Sequence, residues 1–294
     1  MKSSMDDATF RRSQAFGRAV ASAMIEWSSS DNYNFSNAGY ISPTFPGAWQ
    51  PTPPAFAGAL APFVKDARPF IEKNLHFTIP AFPFAYSENP ASAYYKMAKE
   101  VYDISKNLTP QQREIALFWN NEGVRKGYTV QGHSINIVIQ LLEKLDLSLA
   151  VAAVLYAKAG IALRDAQIVL SKANYNNPLV RPVTYIRKLT DPAWLPLVVT
   201  PPYPEYPAAH SFVTSAVMQV LRREIGYEYP ITDNTNELLG FGIRNFESYR
   251  ALAEEAGVAG FFGGVHYKYS IDVGLASGQD FGNRVADVRV TPPF

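Results

Sequence analysis

The sequence contains no cysteine, and its positive and negative charges nearly cancel. Without cysteine there are no disulfides, thiolate metal sites or cysteine nucleophiles. A formal net charge of +1 provides no overall field to attract nucleic acid or an anionic membrane surface, so neither is expected as a partner. Any anion site must therefore be local and built from a few converging cations.

Long apolar runs are also missing. The longest one, from Leu147 to Leu170, is interrupted by Lys158, Arg164 and Asp165. No run reaches the roughly 18–20 apolar residues that span a bilayer, so no transmembrane segment is expected. Residues 1–10 are polar and lack the apolar region of a secretion signal.

Hydrophobic residues make up 47% of the 294 residues, which is typical of a globular protein. Apolar residues at helical spacing predict an all-α fold, and we predict a single helical domain over residues 1–294. The predicted helices cover approximately residues 6–27, 90–104, 110–119, 133–145, 149–172, 208–221, 238–257 and 258–280. Short strands are expected only near Tyr227–Ile231 and Val288–Val290.

A proline-rich segment separates the first predicted helix from the others. It runs from residue 28 to about residue 91 and contains ten prolines. This density excludes a continuous helix or a central strand. The segment also carries the aromatic residues Phe45, Trp49, Phe56, Phe63 and Phe70, too many for a solvated linker. We therefore predict an ordered wrap within residues 1–90, packed on a helical bundle formed by residues 91–294.

Two of the four histidines stand in unusual contexts. His210 lies just inside a helix that follows Pro207, where unpaired N–H groups and the helix dipole favour an anion. His266 follows Gly263 and Gly264, which predict close approach of another backbone or of a ligand. Each histidine is a candidate catalytic residue, and a purely structural role remains the alternative for both.

Lys172 and Arg181 are the candidate cations. On one uninterrupted helix they would lie on opposite faces, but the sequence Asn176-Asn177-Pro178 breaks the helix between them. This break allows the two side chains to converge. A solvated lysine and a surface arginine are the alternative.

These elements together resemble the vanadium haloperoxidase and phosphatidic-acid-phosphatase superfamily, which includes acid phosphatases. Its motifs are Lys-x6-Arg-Pro, Pro-Ser-Gly-His and Ser-Arg-x5-His-x3-Asp. The counterparts here are Lys172 with Arg181-Pro182, then Pro207-Ala208-Ala209-His210, then Ala259-Gly260 with His266. The likeness extends from about Gly17 to Ala286, and it is strongest to soluble bacterial haloperoxidase-related proteins.

The resemblance implies a helical bundle of the vanadium chloroperoxidase and acid phosphatase type, with vanadate as the implied cofactor. Lys172 and Arg181 would bind oxygens of vanadate or phosphate, and Ala209 and Gly260 would also lie at the oxyanion. His210 would be the acid–base residue. His266 would ligate vanadium or attack phosphorus. Because relatives are often exported, a periplasmic or secreted location is expected.

The departures from the motifs predict a weakened oxyanion pocket. Eight residues separate Lys172 from Arg181 instead of six, and alanines replace the Ser-Gly pair at Ala208 and Ala209. Gly260 stands where the motif has arginine, and Ser270 where it has aspartate. Lys268, Arg244 and Arg250 are the candidate replacements for the missing cation.

Three functions remain open at this point. One is peroxide-dependent halide oxidation with vanadate, and the second is phosphomonoester hydrolysis through His266. The third is a non-catalytic or repurposed scaffold that binds a small molecule. One further residue points to a real site: Asp165 lies in the most apolar helix, where an unpaired charge is costly. We predict that it faces a cation or a buried polar network near the pocket.

Overall fold

The structure is a computed structural model that describes residues 5–120, 128–226 and 228–290. The helices in these ranges are α1 (Asp7–Ser29), α2 (Ala93–Lys106), α3 (Pro110–Phe118), α4 (Val130–Lys144), α5 (Leu149–Asn176), α6 (Pro182–Leu189), α7 (Ala209–Ile225), α8 (Tyr249–Phe262) and α9 (Lys268–Ala286). Two three-residue strands, β1 (Ile231–Asp233) and β2 (Arg244–Phe246), pair antiparallel. The predicted all-α fold is confirmed.

Several helix starts follow from local capping chemistry. Thr109 accepts from the backbone N–H of Gln112, whose side chain accepts from the N–H of Thr109 in return, and Pro110 occupies the first position of α3. Ser148 caps α5 in the predicted place. For α2 the prediction was wrong, because Ser92 is the cap and Pro90 lies outside the helix.

The C-terminal third departs further from the prediction. The expected helix over residues 238–257 is replaced by a short 3-10 turn, strand β2 and the start of α8. The expected helix over residues 258–280 is broken between α8 and α9, where Gly264 adopts a left-handed φ of 79°. Residues 288–290 form no strand, and Tyr227 lies outside the described residues.

The bundle is tightest where α7 crosses α9. Gly274, Gly278 and Gly282 of α9 lie directly against the backbone of α7. A Cβ atom built on Gly278 would come within 2.3 Å of the carbonyl oxygen of Phe212. The glycine spacing of four residues therefore allows the two helices to pack backbone to backbone. This contact fixes α7, which carries His210, relative to the α8–α9 pair, which carries His266.

The wrap is ordered, as predicted, and Phe77, Phe82, Phe84 and Tyr86 pack against the core of the bundle. Trp49 is fully buried, whereas Phe45, Phe56 and Phe70 are exposed. Hydrogen bonds also attach the segment. The Trp49 N–H donates to Pro178 O over 2.7 Å, just after the end of α5.

Asp165 of α5 is a second attachment point. It is fully buried and accepts from the backbone N–H groups of Phe70 and Ile71 and from the side chain of Asn74, at 2.7–3.0 Å. The predicted buried polar network exists, and it belongs to the wrap. Burial is the largest influence on the Asp165 carboxyl and raises its pKa.

Helix α1 has the predicted apolar stripe, yet none of its residues is buried. It contacts the wrap at its C-terminal end, where the Trp27 ring stacks on Phe70 at 4.9 Å and the Arg68 guanidinium lies over Trp27. Across the described part of the chain, we find no helix with the length and apolar character needed to cross a membrane.

Candidate functional site

A small cavity of about 40 Å³ lies among α3, α7, the α8–α9 junction and the segment before α7. Two histidines, His210 and His266, line it together. Its other walls are mostly apolar: Ala116, Trp119, Val198, Val199, Pro201, Tyr203, Ala259 and Val265 among them. The structure therefore brings both predicted catalytic histidines to one place.

Arg181 reaches this centre from the start of α6, a helix that the sequence analysis did not predict. The residue is fully buried, and its Nη1 lies 3.2 Å from Nε2 of His266. Its Nε donates to Tyr203 O and its Nη1 donates to Val265 O, at 2.8 and 3.0 Å. Its Nη2 is buried and has no hydrogen-bond partner in the described part of the chain. Arg181 thus serves the surrounding backbone as well as the histidine.

His266 is oriented from behind by Glu205, a fully buried residue that sequence reasoning missed. Glu205 Oε1 lies 2.9 Å from Nδ1 of His266 and accepts from the Tyr267 N–H, also over 2.9 Å. A carboxylate at Nδ1 favours the tautomer with the proton on that atom and the lone pair on Nε2. Burial, followed by the charge of Arg181, lowers the pKa of His266, whereas Glu205 acts to raise it.

His210 occupies the second position of α7 and faces the edge of Trp119, with ring centroids 6.2 Å apart. Trp119 stacks in turn on His133 at 4.6 Å, and His133 pairs with the buried Asp233 over 2.7 Å. Burial, followed by the proximity of His133 and His266, lowers the pKa of His210 to about 3. His210 is therefore a neutral imidazole at physiological pH.

This low pKa makes acid pH destabilising. The unfolded chain protonates His210 below about pH 6.5, while the folded chain does so only near pH 3, so stability decreases as the pH is lowered between these values. We expect His210→Phe to remove on the order of 2 kcal/mol of the loss between pH 7 and pH 4. Urea unfolding at both pH values measures the free energy of unfolding of each variant. His76→Phe, which replaces an exposed histidine, is the control. Equal pH dependence in the wild type and His210→Phe would contradict this.

Lys172 was a wrong choice for the motif lysine. Its side chain is exposed, and its Nζ donates to Leu75 O over 3.1 Å, on the wrap. The x6 spacing of the motif, counted back from Arg181, leads to Asn174 instead. Asn174 is buried, and its Nδ2 contacts the carbonyl oxygens of Pro204, Tyr206 and Pro207 at 2.7–3.3 Å. An uncharged amide thus fixes the loop before α7.

Gly260 lies in the cavity wall with the edge of the His266 ring beside it. A Cβ atom on Gly260 would lie 3.1 Å from Cδ2 of His266. The His266 ring therefore lies close to the position from which the arginine side chain of the motif would start. The paired glycines behave differently: Gly264 lies against Pro196 and Gly263 against Val198. Packing against residues of the segment before α7, and not a ligand, explains this pair.

The candidate replacement cations lie elsewhere. Lys268 is exposed and pairs with Asp272, and Arg250 is exposed and pairs with Glu254. Arg244 is held by Glu255 over 2.6 Å and by Glu114. Ala209 was expected at the oxyanion, but its side chain lines a neighbouring apolar pocket. Among the described residues, Arg181 is therefore the one cation that contacts this centre.

A helical bundle with two histidines in one cavity and a buried arginine against one of them has the arrangement expected of the haloperoxidase and phosphatase superfamily. The family model described as "VCPO second helical-bundle domain" matches residues 154–291. The structure of a bacterial vanadium-dependent iodoperoxidase superposes with a TM-score of 0.86 and 35% sequence identity, covering 95% of this chain and 69% of that protein. This chain belongs to the vanadium-dependent haloperoxidase family.

Two further structures share the fold. They are the holo and apo forms of a bacterial vanadium-dependent chloroperoxidase, each with a TM-score of 0.75 and 17% identity. They cover 92% of this chain, which in turn covers 71% and 72% of them. A search of curated proteins gave no match.

The residues present do not fit vanadate well. The anion carries several negative charges, and among the described residues the centre offers Arg181 as its one cation, with the carboxylate of Glu205 on the far side of His266. Nε and Nη1 of Arg181 already donate to carbonyl groups, so Nη2 is the Arg181 donor left for an anion.

Proposed function

We propose that this member of the haloperoxidase family does not use vanadate and instead binds a small, uncharged molecule. The observation that carries the proposal is the charge at the centre. Among the described residues, Arg181 is the cation at this centre, and the buried carboxylate of Glu205 balances its positive charge. Asn174 and Gly260 occupy the other two positions at which the motifs have a cation. Such a centre has little net charge to offer an oxyanion.

The expected loss of oxyanion affinity supports a pocket for an uncharged molecule. A hydrogen bond to a charged group contributes roughly 1.5–3 kcal/mol, and a neutral one about 1 kcal/mol. Replacing one lysine, one arginine and one serine therefore weakens oxyanion binding by about 4–7 kcal/mol. This corresponds to about three to five decades in affinity. Halide oxidation and phosphoryl transfer both require a bound oxyanion, so both are disfavoured.

The two histidines are retained, so halide oxidation and phosphomonoester hydrolysis stay as alternative functions. His266 lies beside Arg181, and His210 lines the same cavity, so the acid–base histidine and the ligand or nucleophile histidine implied by the family are both present. What supports a repurposed pocket is the charge of its surroundings and the apolar character of its walls. A periplasmic or secreted location remains a prediction.

The first experiment is a calorimetric titration with orthovanadate near neutral pH. We expect no saturable binding by the wild type in the micromolar range, no halide oxidation with added vanadate, and no vanadate-sensitive hydrolysis of a phosphomonoester. A variant carrying Asn174→Lys, Ala208→Ser, Ala209→Gly and Gly260→Arg is expected to bind orthovanadate at least tenfold more tightly. Lys172→Ala is the control, because this lysine lies outside the pocket.

The outcomes separate the three functions. Micromolar binding by the wild type, lost in Arg181→Met, would overturn the proposal and lead to the halide and phosphatase assays. Failure of the restored variant to bind, with its helical signal intact, would show that the remaining backbone no longer positions an oxyanion. The wild-type titration alone decides the proposal, whether or not the restored variant folds.

A further inference from the structure

We infer that a second pocket, next to the histidine cavity, binds a single-ring, uncharged aromatic molecule with one hydroxyl group. The inference rests on the proposed function and gives it a site and a ligand class. The pocket has a volume of about 110 Å³ and lies between the wrap, the start of α4, the C-terminal half of α5 and the start of α7. We refer to it below as the wrap pocket.

Its size selects a ligand of one ring. A dry apolar cavity of about 150 Å³ is large enough for benzene, whereas a single water needs about 10–15 Å³. The wrap pocket is close to the first value, and the histidine cavity, at about 40 Å³, is much smaller. Leu60 and Phe35 of its lining are exposed, so the pocket opens to solvent, and the second ring of a fused two-ring molecule would protrude from it.

Its chemistry selects an uncharged ligand. The described residues that line it include no aspartate, glutamate, lysine, arginine or histidine. Leu60 and Val64 form the wall on the wrap side, and Leu170 and Val213 form the opposite wall. Burying an aromatic ring there gains apolar contact without a charge to desolvate.

Two glutamines supply the polar contact. Gln131 lines the wrap pocket, and its side chain makes no hydrogen bond to the described residues. Gln167 accepts from the Tyr33 hydroxyl through Oε1, over 2.8 Å, and its Nε2 makes no bond within the described ranges. A side-chain amide both donates and accepts, so it can bind a phenolic hydroxyl.

The wrap pocket is connected to the family site through Tyr203 and α7. Tyr203 lines both the wrap pocket and the histidine cavity, and the Arg181 guanidinium lies over its ring at 4.5 Å. The methyl group of Ala209, where the motif has glycine, adds to the apolar wall. On the wrap side, Ala61 holds a left-handed φ of 49°, a strained backbone at the wall of the pocket.

The test is a calorimetric titration of the full chain with phenol as the probe. We expect one saturable site. Benzoate, which carries a charge, and 2-naphthol, which has a second ring, are expected to bind at least tenfold more weakly. Val213→Phe, which fills the pocket, is expected to weaken phenol binding at least tenfold. Gln131→Leu, a change at a half-buried side chain, is expected to weaken it several-fold.

Val151→Phe is the matched control, because it makes the same substitution at an exposed position on α5 and should leave phenol binding unchanged. If phenol shows no saturable heat, or if it binds Val213→Phe and Gln131→Leu as it binds the wild type, the inference is wrong. Orthovanadate titrated into the same preparation keeps the two proposals apart. Vanadate binding would overturn the proposed function, whereas absence of phenol binding alone would overturn only the wrap pocket.

Discussion

Replacing Gly278 with alanine is expected to lower the free energy of unfolding by about 3 kcal/mol or more, at the upper end for overpacked cores. The added Cβ would lie 2.3 Å from the carbonyl oxygen of Phe212 and 2.9 Å from Cβ of Ser215. The first of these atoms belongs to the backbone of a helix, so it cannot rotate away. The methyl group can be accommodated only if α7 and α9 separate.

Gly160→Ala is the matched control for this prediction. Gly160 also lies inside a helix, α5, but an added Cβ there meets nothing within 4 Å. Alanine should therefore stabilise the protein by about 0.5–1 kcal/mol through its better helix propensity. Urea unfolding of both variants measures the difference. If the two substitutions shift stability in the same direction, the close packing of α7 on α9 is incorrect.

Local features of the sequence predicted the helical fold well because helix starts depend on neighbouring residues. The Thr109 capping box, the Ser148 cap and the start of α7 after Pro207 all lie within a few residues of the helices they begin. The short helix α6 was missed although Pro182 is its first residue, since eight residues give little periodicity. The break at Gly264 depends on packing against Pro196, which the local sequence does not show.

The site was predictable where motif spacing applies and not where contacts are distant. His210 and His266, both named from the motifs, line one cavity, and Arg181 contacts His266. Asn174 could have been found from the x6 spacing, which Lys172 does not satisfy. Glu205 carried no comparable signal: its partner His266 is 61 residues away, and a buried glutamate looks like any other glutamate in a sequence.

The fold is kept although two cationic positions of the motifs carry uncharged residues here, because different residues stabilise the fold. Packing depends on the glycine contacts of α9, on the Asp165 attachment of the wrap and on Asn174, which holds the loop before α7 through three carbonyl groups. None of these requires a bound anion. At the motif lysine position, Asn174 supplies a structural contact without a charge, and Gly260 leaves the motif arginine position without a side chain.

Glu205→Ala is expected to destabilise the fold by about 3 kcal/mol or more, because it leaves buried donors unsatisfied. Nδ1 of His266 and the N–H of Tyr267 both lie 2.9 Å from the same oxygen, Oε1. The other carboxylate oxygen, Oε2, is buried and has no partner in the described part of the chain. A glutamine oxygen can replace Oε1, so we expect Glu205→Gln to cost no more than about 1 kcal/mol.

Urea unfolding of the two variants at pH 7 separates the hydrogen bonds of Glu205 from its charge. Nitrogen NMR of the His266 ring should show the proton on Nδ1 in the wild type and in Glu205→Gln, and loss of this preference in Glu205→Ala. The Gln variant should also lose more stability than the wild type as the pH is lowered below the folded pKa of wild-type His266. The carboxylate raises the His266 pKa, so its removal moves the folded value further below the unfolded one. Equal effects of Ala and Gln on stability and on the tautomer would show that Glu205 does not orient the histidine.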